Sequence, residues 1–147
     1  MLDKQRLTSD CLIEAVRYAK EREQHGKAIG KHQLVQEHLA AIEMHRLATD
    51  ALVYQAAAAK DAPATDASSA AKADLLAAQA KLFASNAAWD AADRAVQIFG
   101  GRGWSTLYRP GRHLQDVRVC RIYEGTDEIL KLKIAAALLG KEYEAFK

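Results

Sequence analysis

Glu124 sits in the stretch "RVCRIYEGTDEILKL", after the apolar pair Ile122–Tyr123 and directly before Gly125 and a helix start signal. A carboxylate in such a place has two chemistries open to it. It can accept hydrogen bonds from the backbone amides of the helix it precedes and act as a cap. Alternatively, partly buried beside Ile122 and Tyr123 and aimed by the backbone freedom of Gly125, it can receive a proton as a general base.

Other polar residues carry weaker signals. Arg22, Lys27 and Lys31 place positive charge around the stretch "HGKAIGKH", which fits a hydrated turn or a contact to an anion. His38 and His45 are seven residues apart and share a helix face, with His32 nearby, but no HExxH or Glu-x-x-His pairing accompanies them. No metal is therefore assigned. The stretch "GGRGW" follows a helical segment and opens no strand–helix unit, so it reads as a helix end plus loop and not as a dinucleotide fingerprint. Trp104 and Tyr108 are large aromatics in an irregular span, available to plug the core or to line a groove.

These residues must be held by helices. Many Ala, Leu, Lys, Glu and Gln, with two prolines and eight glycines, favour helix over strand and define an all-α class. The first helix is expected from about Asp10 to Gln24, with Ser9 as N-cap. The second runs from about Gln33 to Lys60, with Val35, Leu39 and Ile42 at helical spacing, and stops before Pro63. The third, from about Ser69 to Phe99, shows Leu75, Leu82, Trp89 and Val96 seven apart, each followed after three by Ala78, Ser85, Ala92 and Phe99. A short helix is expected around Pro110 to Val117. The fourth long helix begins with Thr126 as N-cap and Asp127 and Glu128 in its first turn, and closes at Gly140. Short connections imply an antiparallel, up-down four-helix bundle in a single domain over residues 1–147.

Composition narrows the partners. A net charge of +2, from 21 basic and 19 acidic residues, does not match the basic face of a nucleic-acid binder. Cys11 and Cys120 form no ligand spacing and read as free thiols of a reducing compartment. No apolar run approaches the roughly 20 residues of a membrane span. The expected location is the cytoplasm of a bacterium or an organelle matrix.

Three stretches, "RYAKEREQHGKAIGKHQLVQ", "AKLFASNAAWDAADRAVQIFGGRGW" and "DVRVCRIYEGTDEI", taken in this order and spacing, resemble the C-terminal helical domain of the acyl-CoA dehydrogenase family. The resemblance covers Val16 to Leu139. It implies an FAD enzyme that converts acyl-CoA thioesters to trans-2-enoyl-CoA, with Glu124 of "YEGT" as the base that removes the α-proton. It further implies FAD contacts from Arg22, Gln24 and Gln33, from the backbone of Gln97, Ile98, Phe99, Gly100 and Gly101 along the flavin of a neighbouring subunit, and from Thr126 and Glu128 beside the adenine-nucleotide part.

By the same resemblance the chain should form a homo-oligomer, a dimer or a tetramer, and should lack the N-terminal helical and middle β domains of complete members. Alone it is then expected to be inactive, either as a piece of a complete enzyme or as the partner of a separate chain that carries those domains. The alternative is a helical assembly module derived from the family that does no catalysis. His25 departs from the pattern, standing where the family usually has Phe.

Overall fold

A computed structural model describes residues 2–145. Five helices follow one another: α1 (Leu2–Glu21), α2 (Gln33–Asp61), α3 (Ala67–Phe99), α4 (Arg109–Arg118) and α5 (Asp127–Leu139). Between α1 and α2 lies a two-stranded antiparallel ladder, β1 (Glu23–Gln24) with β2 (Lys27–Ala28). The expected bundle is present. The long third helix is its axis, touching α1, α2, α4 and α5, while α4 is short and packs on α1 and α3.

The axis can take this position because its buried faces are mostly alanine. Ala80, Ala84, Ala87, Ala88, Ala91, Ala92 and Ala95 are all buried, so neighbouring helices approach closely on several sides. Ile42 of α2 and Val117 of α4 are the largest apolar side chains fully enclosed by this packing. Of the predicted seam on α3, Ala78, Ser85, Ala92 and Phe99 are buried, whereas Leu75, Leu82, Trp89 and Val96 are only half-buried at its margin.

The first helix corrects the sequence expectation. It starts at Leu2, not near Asp10, and Ser9 lies inside it and caps nothing. The reason is a buried stripe of Lys4, Thr8, Cys11, Ala15 and Ala19 that continues the helical period upstream. Within it the Thr8 hydroxyl donates to the Lys4 carbonyl at 2.9 Å, satisfying itself without ending the helix. The helix also stops at Glu21, short of Gln24. His25 (φ 53°) and Gly26 (φ 73°) both adopt left-handed conformations there, which closes a two-residue hairpin.

The third helix begins slightly earlier than expected. Asp66 is the cap, its carboxylate accepting from the Ser69 amide at 2.7 Å while the Ser69 hydroxyl accepts from the Asp66 amide. At the other end Gly103 is required. A Cβ there would lie 2.5 Å from the Val96 carbonyl oxygen, so the "GGRGW" turn folds tightly back on α3.

Cys11 provides a test of this packing. Its side chain is fully enclosed, and burial, then the charge of Asp10, push its thiol from an ordinary 9.0 to about 12. A raised pKa means that the unfolded chain loses this proton first. The stability from the neutral buried thiol is therefore complete below pH 9 and is lost as pH climbs toward about 12. Denaturant titrations between pH 9 and 10.5 should show Cys11→Ala escaping a loss of about 1.4 kcal/mol per pH unit that the parent suffers. Equal slopes for the two proteins would rule out the buried neutral thiol.

Candidate functional site

The loop before α5 is built by four short-range devices. Glu124 (φ 55°) and Gly125 (φ 95°) form consecutive left-handed residues, a conformation that a non-glycine residue adopts only when its surroundings impose it. Thr126 caps α5, its hydroxyl accepting from the Ile129 amide at 3.3 Å, as expected. Asp127, 2% exposed, fills the first turn, where the helix dipole favours negative charge. Its Oδ2 accepts from Arg121 Nε at 2.7 Å and from Asn86 Nδ2 at 3.1 Å, tying the loop to α3. Hydrogen bonds from its own backbone amide, then from Thr126, hold the Glu128 carboxyl below the usual range.

Two buried lysines stand beneath this loop. Lys81 of α3, 6% exposed, donates from Nζ to the Gly125 carbonyl at 2.5 Å. Lys4 of α1, 4% exposed, lies 3.7 Å from Glu124 Oε2 and 5.5 Å from the centre of the Tyr123 ring. Burial, then the Lys4 charge, hold the Lys81 ammonium below its ordinary range, and Asp127, Glu124 and Cys120 act in the opposite sense.

Glu124 itself corrects one expectation. Its side chain is 69% exposed, and Ile122 and Tyr123 are exposed too, so they do not bury it. The carboxylate is thus presented outward from a braced backbone.

The residues implicated in cofactor contact fall into two groups. Arg22, Gln24 and Gln33 belong to the hairpin end of the bundle. Gln97 to Gly101 lie at the same end, because Tyr18 of α1 stacks on Phe99 with ring centres 4.1 Å apart. Tyr108 meets Phe99 edge-on with ring centres 5.8 Å apart, whereas Trp104 is exposed. Ile98 and Phe99 are buried, so their side chains serve the core and only their backbone is available. Gly100 and Gly101 face open space, since nothing lies within 4 Å of a Cβ built on either. Arginine, glutamine amides and open backbone are a donor set that fits a dinucleotide lying along the surface.

Glu124, Thr126 and Glu128 form the second group at the opposite end. Lys81, under the base loop, is eighteen positions before Phe99 on α3, which is about 27 Å along the helix axis. The two groups do not converge on one pocket in a single chain.

The sequence reading did not single out Lys4, Lys81, Asn86 or Arg121. A signal was present for the lysines. Lys81 occupies the small-residue stripe Ala78, Ser85, Ala88, Ala92 and Ala95, and Lys4 occupies the stripe of α1. A charge on a buried face needs a partner, and the partner was unreadable because it lies 44 residues away. The histidines resolve into surface pairs instead: His45 with Asp90 at 2.8 Å, and His38 with Arg94 at 3.1 Å.

The chain matches the family model described as acyl-CoA dehydrogenase, C-terminal domain, over residues 4–139. It is 42% identical over 126 residues to a 3-(aryl)acrylate reductase of Clostridium sporogenes, covering 86% of this chain and 32% of that one. It is 40% identical over 130 residues to the short-chain specific acyl-CoA dehydrogenase of Megasphaera elsdenii, covering 87% and 32%. The solved butyryl-CoA dehydrogenase from Megasphaera elsdenii superposes with a TM-score of 0.84 at 37% identity, over 93% of this chain and 34% of that one. The chain therefore spans about a third of these relatives. The motifs, the helical bundle and these matches agree: the chain belongs to the acyl-CoA dehydrogenase family and corresponds to its C-terminal domain.

Proposed function

We propose that this chain supplies the proton-abstracting wall of an FAD-dependent acyl-CoA dehydrogenase. The observation that carries the reading is Glu124, a carboxylate presented outward from a left-handed turn whose backbone is held from below. An α-proton of a bound acyl-CoA thioester passes to a Glu124 oxygen as the α,β bond gains its double-bond character, giving the trans-2-enoyl product. FAD, when bound, would supply acceptance of the hydride that leaves the β-carbon. Glu124 then gives up its proton as product leaves. Run in reverse, the same carboxylate would deliver the proton in an enoyl reduction, the direction named for the Clostridium relative.

Arg22, Gln24, Gln33 and the Gln97–Gly101 backbone would hold FAD at one end of the bundle, and Thr126 and Glu128 at the other. Their separation supports a flavin shared between neighbouring chains and completed by further domains. By itself the chain encloses neither substrate nor cofactor, and it is inactive on this reading. It works in an aqueous compartment, bacterial cytoplasm or organelle matrix; among the described residues no helix is long and apolar enough to cross a membrane.

One surface supports self-association. Ala40, Met44, Leu47, Ala51, Tyr54 and Ala58 of α2 are all exposed and recur at alternating steps of four and three. That is the spacing of a helix–helix seam. Antiparallel packing of two copies would set Met44 against Tyr54, sulfur on aromatic, Leu47 against Ala51, large on small, and Ala40 against Ala58 at the ends. The same seam is what a purely structural assembly module would use.

Acyl-CoA-dependent dye reduction separates the two readings. These 147 residues alone should show none, and mixing them with a chain carrying the N-terminal and middle domains of a complete family member should restore turnover. Mixtures that assemble, hold flavin and remain inactive would favour the assembly module.

A further inference from the structure

We propose that Lys81 is the positioning residue of the base loop, a buried ammonium on α3 that grips the Gly125 carbonyl and so imposes the left-handed turn presenting Glu124. This rests on the reading of Glu124 as the base.

The placement is costly unless it does something. An ammonium taken out of water needs charge or hydrogen-bond compensation, and an apolar side chain would fill this stripe of α3 more cheaply. Lys81 is only 6% exposed, and the oxygen it reaches belongs to a residue 44 positions on, in the turn itself. A second buried cation, Lys4, stands close enough to oppose it. Two like charges at one buried locus are tolerated because acids lie near both. Lys4 faces the Glu124 carboxylate, and Asp127, although its Oδ2 is bound to Arg121, still attracts the Lys81 ammonium.

The division of labour follows from the atoms. Lys81 binds backbone and therefore acts on φ and ψ of Glu124 and Gly125, which a glutamate does not adopt freely. Lys4 meets the side chain, across a longer distance and at an exposed carboxylate, and therefore biases only where the carboxylate rests. The Asn86–Asp127–Arg121 bonds anchor the α5 side of the loop, and Lys81 secures the Glu124–Gly125 turn itself from α3. Lys81 touches no reacting atom. Its role is to keep the base loop in one geometry.

Nitrogen-15 relaxation on the purified chain tests this. In the parent, Glu124 and Gly125 should show backbone order parameters of about 0.85, the value of rigid structure. In Lys81→Met, which keeps the aliphatic stem, they should fall below about 0.6 while α3 and α5 stay rigid. Lys4→Met should leave both residues ordered. Order retained at Glu124 and Gly125 in a folded Lys81→Met protein would overturn the proposal.

Should that variant fail to fold, the parent decides. A slowly exchanging Lys81 Nζ resonance with a coupling across the hydrogen bond to the Gly125 carbonyl would support the clamp, and a rapidly exchanging one would end it. None of these measurements uses turnover. Failure of Glu124 as the base, seen in kinetics, would therefore be distinguishable from failure of Lys81 as the clamp.

Discussion

Glu124→Gln in the assembled enzyme is expected to lower dehydrogenation by about 10²–10⁴-fold, the contribution of a positioned general base, with flavin still bound. Glutamine keeps the shape of the side chain and removes its capacity to accept a proton. The side chain is mostly exposed, but the Lys4 ammonium it faces is buried, so removing the charge should cost folding about 1–3 kcal/mol without changing the fold. The implicated cofactor contacts come from other residues, which is why the flavin absorbance should persist. Steady-state kinetics alongside a visible spectrum make the measurement. Turnover within a few-fold of the parent would remove Glu124 from the base role, and loss of flavin would show that it holds cofactor instead.

Leu47→Glu should break self-association. In a two-fold symmetric contact one substitution is made twice, so the seam would receive two carboxylates near its centre. Burial of like charges costs several kcal/mol, enough to weaken association by about 10²–10³-fold. The chain fold should be little affected, because Leu47 is 48% exposed in the single chain and lies outside its core. Sedimentation velocity reads the outcome: a shift from oligomer to monomer at unchanged helicity is expected. An unchanged sedimentation coefficient would place the interface elsewhere, and a parent that is already monomeric at high concentration would exclude the seam altogether.

Much of this molecule is legible residue by residue. The helical run of α3 up to Phe99, the Gly100 stop, the Thr126 cap and the acids following it are local patterns, and each produces the helix or helix end it predicts because helix formation is decided within a few residues. The family is legible for a different reason: three motifs in one order leave few other folds. Helix boundaries are less so. Ser9 has the chemistry of a cap, yet packing of Lys4 and Thr8 against the bundle carries α1 past it, since tertiary burial outweighs a local preference of about 1 kcal/mol.

The site divides along the same line. The amino-acid sequence alone determined which residue bears the carboxylate, which helix starts beside it, and which glycines leave backbone open at Gly100 and Gly101. Only the tertiary structure decided that Glu124 faces outward, that Lys81 and Lys4 converge on its loop from two other helices, and that Arg22, Gln24, Gln33 and Gln97 to Gly101 lie at the far end of the bundle. Those facts depend on contacts between positions 44 or more residues apart. Local propensity carries no information about such contacts, because they are set by how whole helices pack.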